Sequence, residues 1–342
     1  MSKELDLWQF IADRLSKDEC VMLLVVATSS GSSPGRPGYK MAVADDGQLI
    51  GSIGGGVMEV NLVEQSREIL SEPPAVAGSL TQPVSEQIHR KDVSNSSGMI
   101  CSGKQTVIFK LLESRDLVTV QAAISGVESR DGSYLTIHSD MIVVKPSEAE
   151  SKNLDIDFTR HSDTEFEYRE RLGAKNDLYL IGGGHCALAL SELMSKMDFQ
   201  VRLFDDRPQL NTIMQNEFAD VITVFDNFER IGNYVDSDDR GYVVVMTLGY
   251  KSDKIVIREL VDKDFKYFGV LGSKAKMSIV FRELIDEGVP EERLDLIHTP
   301  IGLPINSHSP DEIAVSIAAE IIAIKNQATI YPGNNSSIEM SN

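Results

Sequence analysis

The sequence predicts an α/β protein, with an N-terminal mixed α/β domain followed by a C-terminal Rossmann-type, doubly wound parallel sheet. Three observations predict it. The length, 342 residues, suits two domains at about 100–200 residues each. From Leu178 onward, short β-branched runs alternate with helical stretches, the pattern of a parallel sheet covered on both faces. The first of those runs leads into Gly182-x-Gly184-x-x-Ala187, and an acid, Asp205, closes the next one.

In chain order, Leu5–Asp18 places apolar residues at helical spacing. Cys20–Thr28 (CVMLLVVAT) reads as a buried strand that ends in the Gly/Pro/Ser-rich loop 29–38. Tyr39–Ala44 and Gln48–Ile50 read as a hairpin around Asp45-Asp46-Gly47. Gly51–Gly56 opens a helix over Val57–Leu70, which Pro73-Pro74 stops. Residues 71–98 read as irregular, Lys104–Leu112 as a strand, and 116–146 as a helix followed by strands. The stretch 147–176 is highly charged and weakly periodic, so it marks the domain boundary. The expected organisation is a first domain over 1–150, a linker over 151–176, a Rossmann-type domain over 177–326 and a tail over 327–342.

In the second domain, strands are expected at Leu178–Ile181, Val201–Phe204, Val221–Val224, Tyr242–Thr247 and Tyr267–Leu271. A helix follows the first strand to about Met197, and charged helical stretches follow the last two. Ser309, Pro310 and Glu312 form a capping box for a final helix that runs to about Lys325.

Lys plus Arg number 33 and Asp plus Glu 52, a net charge of −19. That balance argues against nucleic acid or an anionic membrane surface as a partner. Cys20, Cys101 and Cys186 are far apart and odd in number, which argues against a zinc knuckle or a disulfide framework. The N-terminal residues lack an apolar signal core, and no apolar run is long enough to span a bilayer. The expectation is a reduced, soluble, cytoplasmic protein.

The chemistry concentrates at a few places. In Gly182-x-Gly184-x-x-Ala187 the first glycine permits a tight turn, the second lets a phosphate approach the backbone, and the small Ala187 lets helix and strand pack closely. The helix start favours an anion, and Asp205 or Asp206 can accept a hydrogen bond from a ribose hydroxyl. A Rossmann layer that binds no dinucleotide carries the same pattern. His185 and Cys186 sit at that helix start; His185 faces a phosphate or metal or is inert, and Cys186 reads as a small core side chain. Gly54-Gly55-Gly56 stands between a strand and a helix, where successive amides form an anion nest or simply a turn. Arg36, between Gly35 and Pro37, offers a fork for phosphate or a pterin-like ring, or is a solvated charge. Cys101, near Lys104, is a candidate thiolate and soft metal ligand. His298-Thr-Pro-Ile-Gly precedes the capped helix, at the end of a late strand.

Taken together, GSSPGRPGYKM (31–41), IGSIGGGVMEV (50–60), CSGK (101–104), LYLIGGGHCALAL (178–190), FDDRP (204–208), VVVMTLGYKSD (243–253), FGVLGSKAK (268–276) and IHTPIGLPINSHSPDEIAVSIAAEII (297–322) resemble the XdhC/CoxI family, the accessory proteins of molybdenum-containing hydroxylases such as xanthine dehydrogenase. The resemblance implies a chaperone that binds the molybdenum cofactor, protects it, supports its sulfuration with a cysteine desulfurase and passes it to the apo-hydroxylase. It also implies a homodimer. On this reading Arg36, Gly54, Gly55, Gly56, Cys101, Gly182, Gly184, His185 and Asp205 hold the cofactor or a nucleotide, with Cys101 at the metal. Two departures stand out: Val57 occupies the place after the triple glycine where the family often has a cysteine, and Gly249-Tyr250 replaces a Gly-His pair. Two other readings remain open. One is an NAD(P)-dependent oxidoreductase using Gly182, Gly184 and Asp205, although no acid–base pair is evident for it. The other is an assembly factor that carries no cofactor.

Overall fold

The computed structural model describes residues 3–71, 83–89, 103–129, 132–146, 155–173, 176–197 and 199–326. The chain divides into two compact units, Met1–Gly173 and Ala174–Asn342.

The first unit contains helix α1 (Lys3–Leu15), strands β1 (Val21–Gly31), β2 (Lys40–Ala44) and β3 (Leu49–Gly51), helix α2 (Gly56–Leu70), strands β4 (Val84–His89) and β5 (Gly103–Leu112), helix α3 (Leu117–Ser129), and strands β6 (Tyr134–His138), β7 (Ile142–Lys145), β8 (Ile156–Arg160) and β9 (Phe166–Arg171). Five strands form an antiparallel sheet in the order β3-β2-β1-β5-β4, and four more form a second in the order β7-β6-β9-β8. The unbroken apolar run of β1 is explained by its two packed faces. Val21, Leu23 and Val25 lie in a core with α1 and α3, while Met22, Leu24 and Val26 lie in one with α2. A strand covered on both sides loses the apolar/polar alternation of a half-exposed one.

The expected linker over 151–176 is corrected here. Its described residues carry β8 and β9, and β9 pairs with β6 inside the first unit. Phe166, Tyr168 and Glu170 point inward along β9 while its remaining residues are partly or fully exposed. Period-2 burial with charged outward positions makes such a strand look like a charged connector in sequence. Strand β4 likewise occupies part of the stretch expected to be irregular.

The second unit contains strands β10 (Asn176–Ile181), β11 (Phe199–Asp205), β12 (Val221–Val224), β13 (Asp238–Val245) and β14 (Phe265–Val270). Its longer helices are α4 (His185–Met194), α5 (Tyr250–Leu260), α6 (Lys274–Asp286) and α7 (Pro310–Lys325). All five strands are parallel, in the order β12-β11-β10-β13-β14, and His298 extends the sheet by a parallel bridge to Gly269. This is the doubly wound sheet that the sequence predicts. The chain leaves β10 toward β11 on one side and β13 toward β14 on the other, so the switch point lies between β10 and β13, where such folds open a crevice at the carboxyl ends of the strands. One face is packed by α4 and α7, the other by α5 and α6. The final helix has the expected capping box: Ser309 accepts the Glu312 amide, and Glu312 accepts the Ser309 amide. Among the described residues, no helix is long and apolar enough to cross a membrane.

Candidate functional site

In the first unit, two loop segments meet around a buried amide. Gln105, on β5, is fully buried. Its Oε1 accepts from Ser33 Oγ at 2.8 Å and from the Gly35 amide at 3.1 Å, and its Nε2 donates to the Ile53 carbonyl at 2.8 Å. One side chain therefore ties the Arg36 loop to the glycine loop. Backbone contact completes the joint. Gly54 has φ 126°, and a Cβ there would sit 2.6 Å from the Gly35 nitrogen. Arg36 projects from this joint as an exposed residue, and its guanidinium takes no hydrogen bond or ion pair among the described residues.

The glycine loop departs from the expected anion nest. Glu59, one turn into α2, turns back and accepts from Ser52 Oγ at 2.7 Å, the Ile53 amide at 2.8 Å and the Gly55 amide at 2.9 Å, all through Oε2. The Gly54 amide donates to Ser52 Oγ. Gly54 and Gly55 thus use their donors internally, beside a carboxylate that opposes a phosphate. What stays available is the start of α2. Its cap residue is Gly55, with no capping side chain, so the first-turn amides from Gly56 onward lack partners within the helix. Val57 is 54% exposed there. Cys101, the sequence's candidate metal contact, lies outside the described residues.

In the second unit, Gly182 ends β10 at φ 109°, and a Cβ there would lie 2.4 Å from the Met246 carbonyl oxygen. Only glycine lets the two strand-end loops at the switch point touch. Gly184 caps α4 without a side-chain acceptor, and the space beside its Cα is open. Gly249 stands in the same relation to α5. By contrast α6 and α7 are capped by Ser273 and Ser309. Of the two helices that start at the switch point, α4 has neither a capping side chain nor an acid in its first turn and keeps its positive dipole end unneutralised, the arrangement that receives an anion, whereas α5 carries Asp253 in its first turn. His185 is exposed at the start of α4. Cys186 is partly buried, and burial, then Asp311, pushes its thiol up, which suits the packing role expected for it.

Asp205 does not hold the role expected for it. It is fully buried, and both oxygens are occupied. Oδ2 accepts the Gly183 amide at 2.6 Å and an Arg207 guanidinium nitrogen at 2.7 Å; Oδ1 accepts the Arg207 amide at 2.9 Å and Arg207 Nε at 2.8 Å. Burial would raise its pKa, but the Arg207 and Gly183 hydrogen bonds together hold it below the ordinary carboxylate value. Asp205 is a brace for the glycine loop. Asp206 is the acid at the surface, its side chain one-third exposed. With Arg207, Pro208, Gln209 and Leu210 it lines an open depression of about 420 Å³.

Two further networks escaped the sequence reading. Asp253, fully buried on α5, accepts from Thr247 Oγ1 at 2.6 Å and from Lys276 Nζ at 2.5 Å, fixing the loop after β13. Glu320, on α7, accepts from Tyr267 OH at 2.5 Å and the Gly302 amide at 2.7 Å, and its other oxygen lies 3.4 Å from His298 Nδ1. His298 lies against Tyr267 in a tilted ring contact, with centroids 4.8 Å apart. A glutamate on the core face of a helix was the available signal, since carboxylates are rarely buried unless paired. Among the described residues, no three His, Cys, Asp or Glu side chains are grouped to hold a metal.

A doubly wound sheet with an uncapped glycine loop at its switch point, joined to a mixed α/β unit with a second glycine loop, defines a class of two-unit α/β proteins with a Rossmann-type C-terminal unit. Residues 178–321 match the XdhC Rossmann domain, and residues 15–76 match the XdhC and CoxI family. The chain belongs to the XdhC and CoxI family. Among its relatives is a Bacillus subtilis protein named as a probable subunit of xanthine dehydrogenase, 25% identical over 334 residues that make up 92% of this chain and 96% of the relative. Another is YqeB of Escherichia coli, 24% identical over 322 residues, 93% of this chain but only 46% of YqeB; the chain thus spans about half the length of that relative. A Bacillus halodurans crystal structure described as a xanthine dehydrogenase has a TM-score of 0.69 and 20% identity over 96% of each chain, a likeness of fold.

Proposed function

We propose that this protein is a maturation factor for a xanthine dehydrogenase-type molybdenum hydroxylase, and that it binds the molybdenum cofactor, protects it and delivers it to the apo-enzyme. Membership of the XdhC and CoxI family and the B. subtilis relative's name support the client class. The observation that carries the cofactor reading is the joint at Gln105, which ties the loop of exposed Arg36, unpaired among the described residues, to the glycine loop that starts α2.

These residues fit a phosphate-bearing planar ligand. Arg36 would take phosphate or pterin as a rigid fork, and the first amides of α2 would take phosphate oxygens. Gly55 adjoins open space, and exposed Val57 and Tyr39 offer apolar flanks. Glu59, in the first turn of α2, fills the neighbouring nest and opposes an anion there, so the phosphate would be held chiefly by Arg36. A soft metal ligand would come from Cys101, assigned on its sequence position alone. When bound, the cofactor supplies the metal centre that the client enzyme uses. A cysteine desulfurase as sulfur donor and a homodimer belong to the same proposal, as does a nucleotide in the crevice of the second unit.

The test adds released cofactor to purified protein, removes the unbound fraction and quantifies pterin and molybdenum together. Near-stoichiometric co-retention is expected, falling at least tenfold in Arg36→Ala, with molybdenum lost preferentially in Cys101→Ser. Absence of pterin retention by the wild type overturns the reading. The oxidoreductase reading gains one observation, the His298–Glu320 pair near the carboxyl edge of the sheet, which offers it a proton-transfer group. Substrate-dependent oxidation of NADH or NADPH without pterin retention would favour it.

A further inference from the structure

We infer that Lys40 is the positioning residue of the turn that carries Arg36: its buried ammonium holds the Gly38 carbonyl and so fixes where Arg36 meets a phosphate-bearing ligand. The inference rests on the reading of Arg36 as the anion-binding group and adds the residue that sets its place.

Residues 36–39 form a tight turn. The Tyr39 amide donates to the Arg36 carbonyl at 3.0 Å, Pro37 is the second residue, and Gly38, the third, has φ 88°. Those are the marks of a type II turn, in which proline suits the second place and glycine the third. The turn is tied to β1, because the Gly38 amide donates to the Val26 carbonyl and the Val26 amide to the Tyr39 carbonyl, each at 2.9 Å. Just before it, the Gly35 amide is held by Gln105. The Gly38 carbonyl accepts from Lys40 Nζ at 3.2 Å. Arg36 alone of this group turns its charge to solvent.

Lys40 opens β2 opposite Val25, on the face that α1 covers, and its side chain is only 7% exposed. A buried ammonium is costly unless paired, and an apolar side chain of similar volume would fill the place without that cost. The pairing comes from Glu170 on β9, which also accepts the Tyr168 hydroxyl, with Glu4 of α1 at 3.8 Å. Two carboxylates facing one ammonium leave no positive charge to draw an anion. What Lys40 adds to ligand binding is therefore geometric. Its three donors bind the first sheet, the second sheet and the Arg36 turn to one nitrogen.

The experiment is a double-mutant cycle on the full chain, which isolates the coupling between Lys40 and Arg36. Lys40→Met/Glu170→Gln removes both buried charges and leaves the Tyr168 hydroxyl a neutral acceptor, so its urea midpoint is expected to stay close to that of the wild type. Its retention of released molybdenum cofactor is expected to fall about fivefold, a coupling usual for residues in one network. The same two changes made in Arg36→Ala should lower retention no further, because the group they position is gone. Lys40→Arg keeps the charge beside Glu170 on a planar head and is the second variant should the first fail to fold; its loss is again expected only with Arg36 present. Undiminished retention in a folded variant overturns the inference. So does an equal loss with and without Arg36, the result that a merely structural ion pair would give.

The cycle is repeated with inorganic phosphate by calorimetry. If the wild type retains pterin and molybdenum but the cycle shows no coupling, the inference falls and the maturation reading stands. If pterin is not retained, the maturation reading falls and the phosphate cycle decides: coupling there upholds the inference, and its absence overturns both.

Discussion

Glu59 Oε2 accepts the Gly55 amide at 2.9 Å, so the most glycine-rich loop of the chain is filled by the protein's own carboxylate. The same oxygen serves Ser52 and Ile53. Glu59→Ala leaves these donors without their acceptor, at a cost of roughly 1–3 kcal/mol, the typical penalty for unpairing a partly buried polar group. Urea unfolding of the variant should show a lower midpoint with an unchanged slope. It should also bind inorganic phosphate more tightly than the wild type, because the nest amides are released. Unchanged stability together with unchanged phosphate binding would show that Glu59 does not organise this loop.

The brace at Asp205 predicts a pH dependence. Burial opposes its charge, but Arg207 and the Gly183 amide outweigh burial and depress its folded pKa. A depressed carboxylate contributes stability that is present above the unfolded value, about 3.9, and lost as pH falls through the folded value. Asp205→Asn should therefore destabilise the second unit near neutrality and flatten the acid limb of its unfolding curve below about pH 4. Urea titrations between pH 2.5 and 7 check it. An acid limb as steep in the variant as in the wild type would mean that the carboxylate does not hold the loop.

The parts of the fold legible in the sequence are those where one residue type has one physical use. The apolar run of β1, the strand-to-helix turn at Gly182 and Gly184, and the Ser309–Glu312 capping box all formed as read. Strand β9 was hidden because its buried Glu170 is made tolerable by partners that pattern alone does not reveal, distant Lys40 and the strand's own Tyr168. Gln105 was hidden for a related reason: an uncharged amide fits no motif, and its value comes from three loop groups that only the folded chain brings together. Asp205 and Asp206 are chemically identical neighbours. Which one turns inward is decided by the pleat of β11 and by Arg207, neither of which spacing alone resolves.

Two buried phenols predict the alkaline limb. Tyr168 and Tyr267 are almost fully buried, and each donates to a glutamate. Burial first, then the nearby carboxylate, pushes each well above the ordinary phenol value. A raised pKa contributes stability that is fully present below the unfolded value, about 10, and lost as pH rises beyond it. Unfolding free energy should therefore fall steeply above about pH 10, with one share removed by Tyr168→Phe and another by Tyr267→Phe. Tyrosinate absorbance near 295 nm, followed in the same titration, should rise for these two residues only as the chain unfolds. Early ionisation in the folded state would contradict both hydrogen bonds.

Glu320 links α7 to β14 and to the loop after His298, and its replacement separates charge from hydrogen bonding. Burial would raise its pKa, but His298, Tyr267 and the Gly302 amide together hold it below the ordinary value. In Glu320→Gln the Tyr267 hydroxyl and the Gly302 amide keep a neutral acceptor, while His298 loses its charged partner. The expected cost is about 1 kcal/mol near pH 7, and the stability that the wild type loses below about pH 4.3 should be missing from the variant at every pH. Glu320→Ala also strands the buried phenol and the amide, which raises the cost to roughly 3 kcal/mol. Denaturant midpoints at pH 3, 5 and 7 distinguish the two. Equal midpoints for Gln and Ala would mean that α7 is held by its apolar face alone, with His298 free of the carboxylate that orients it.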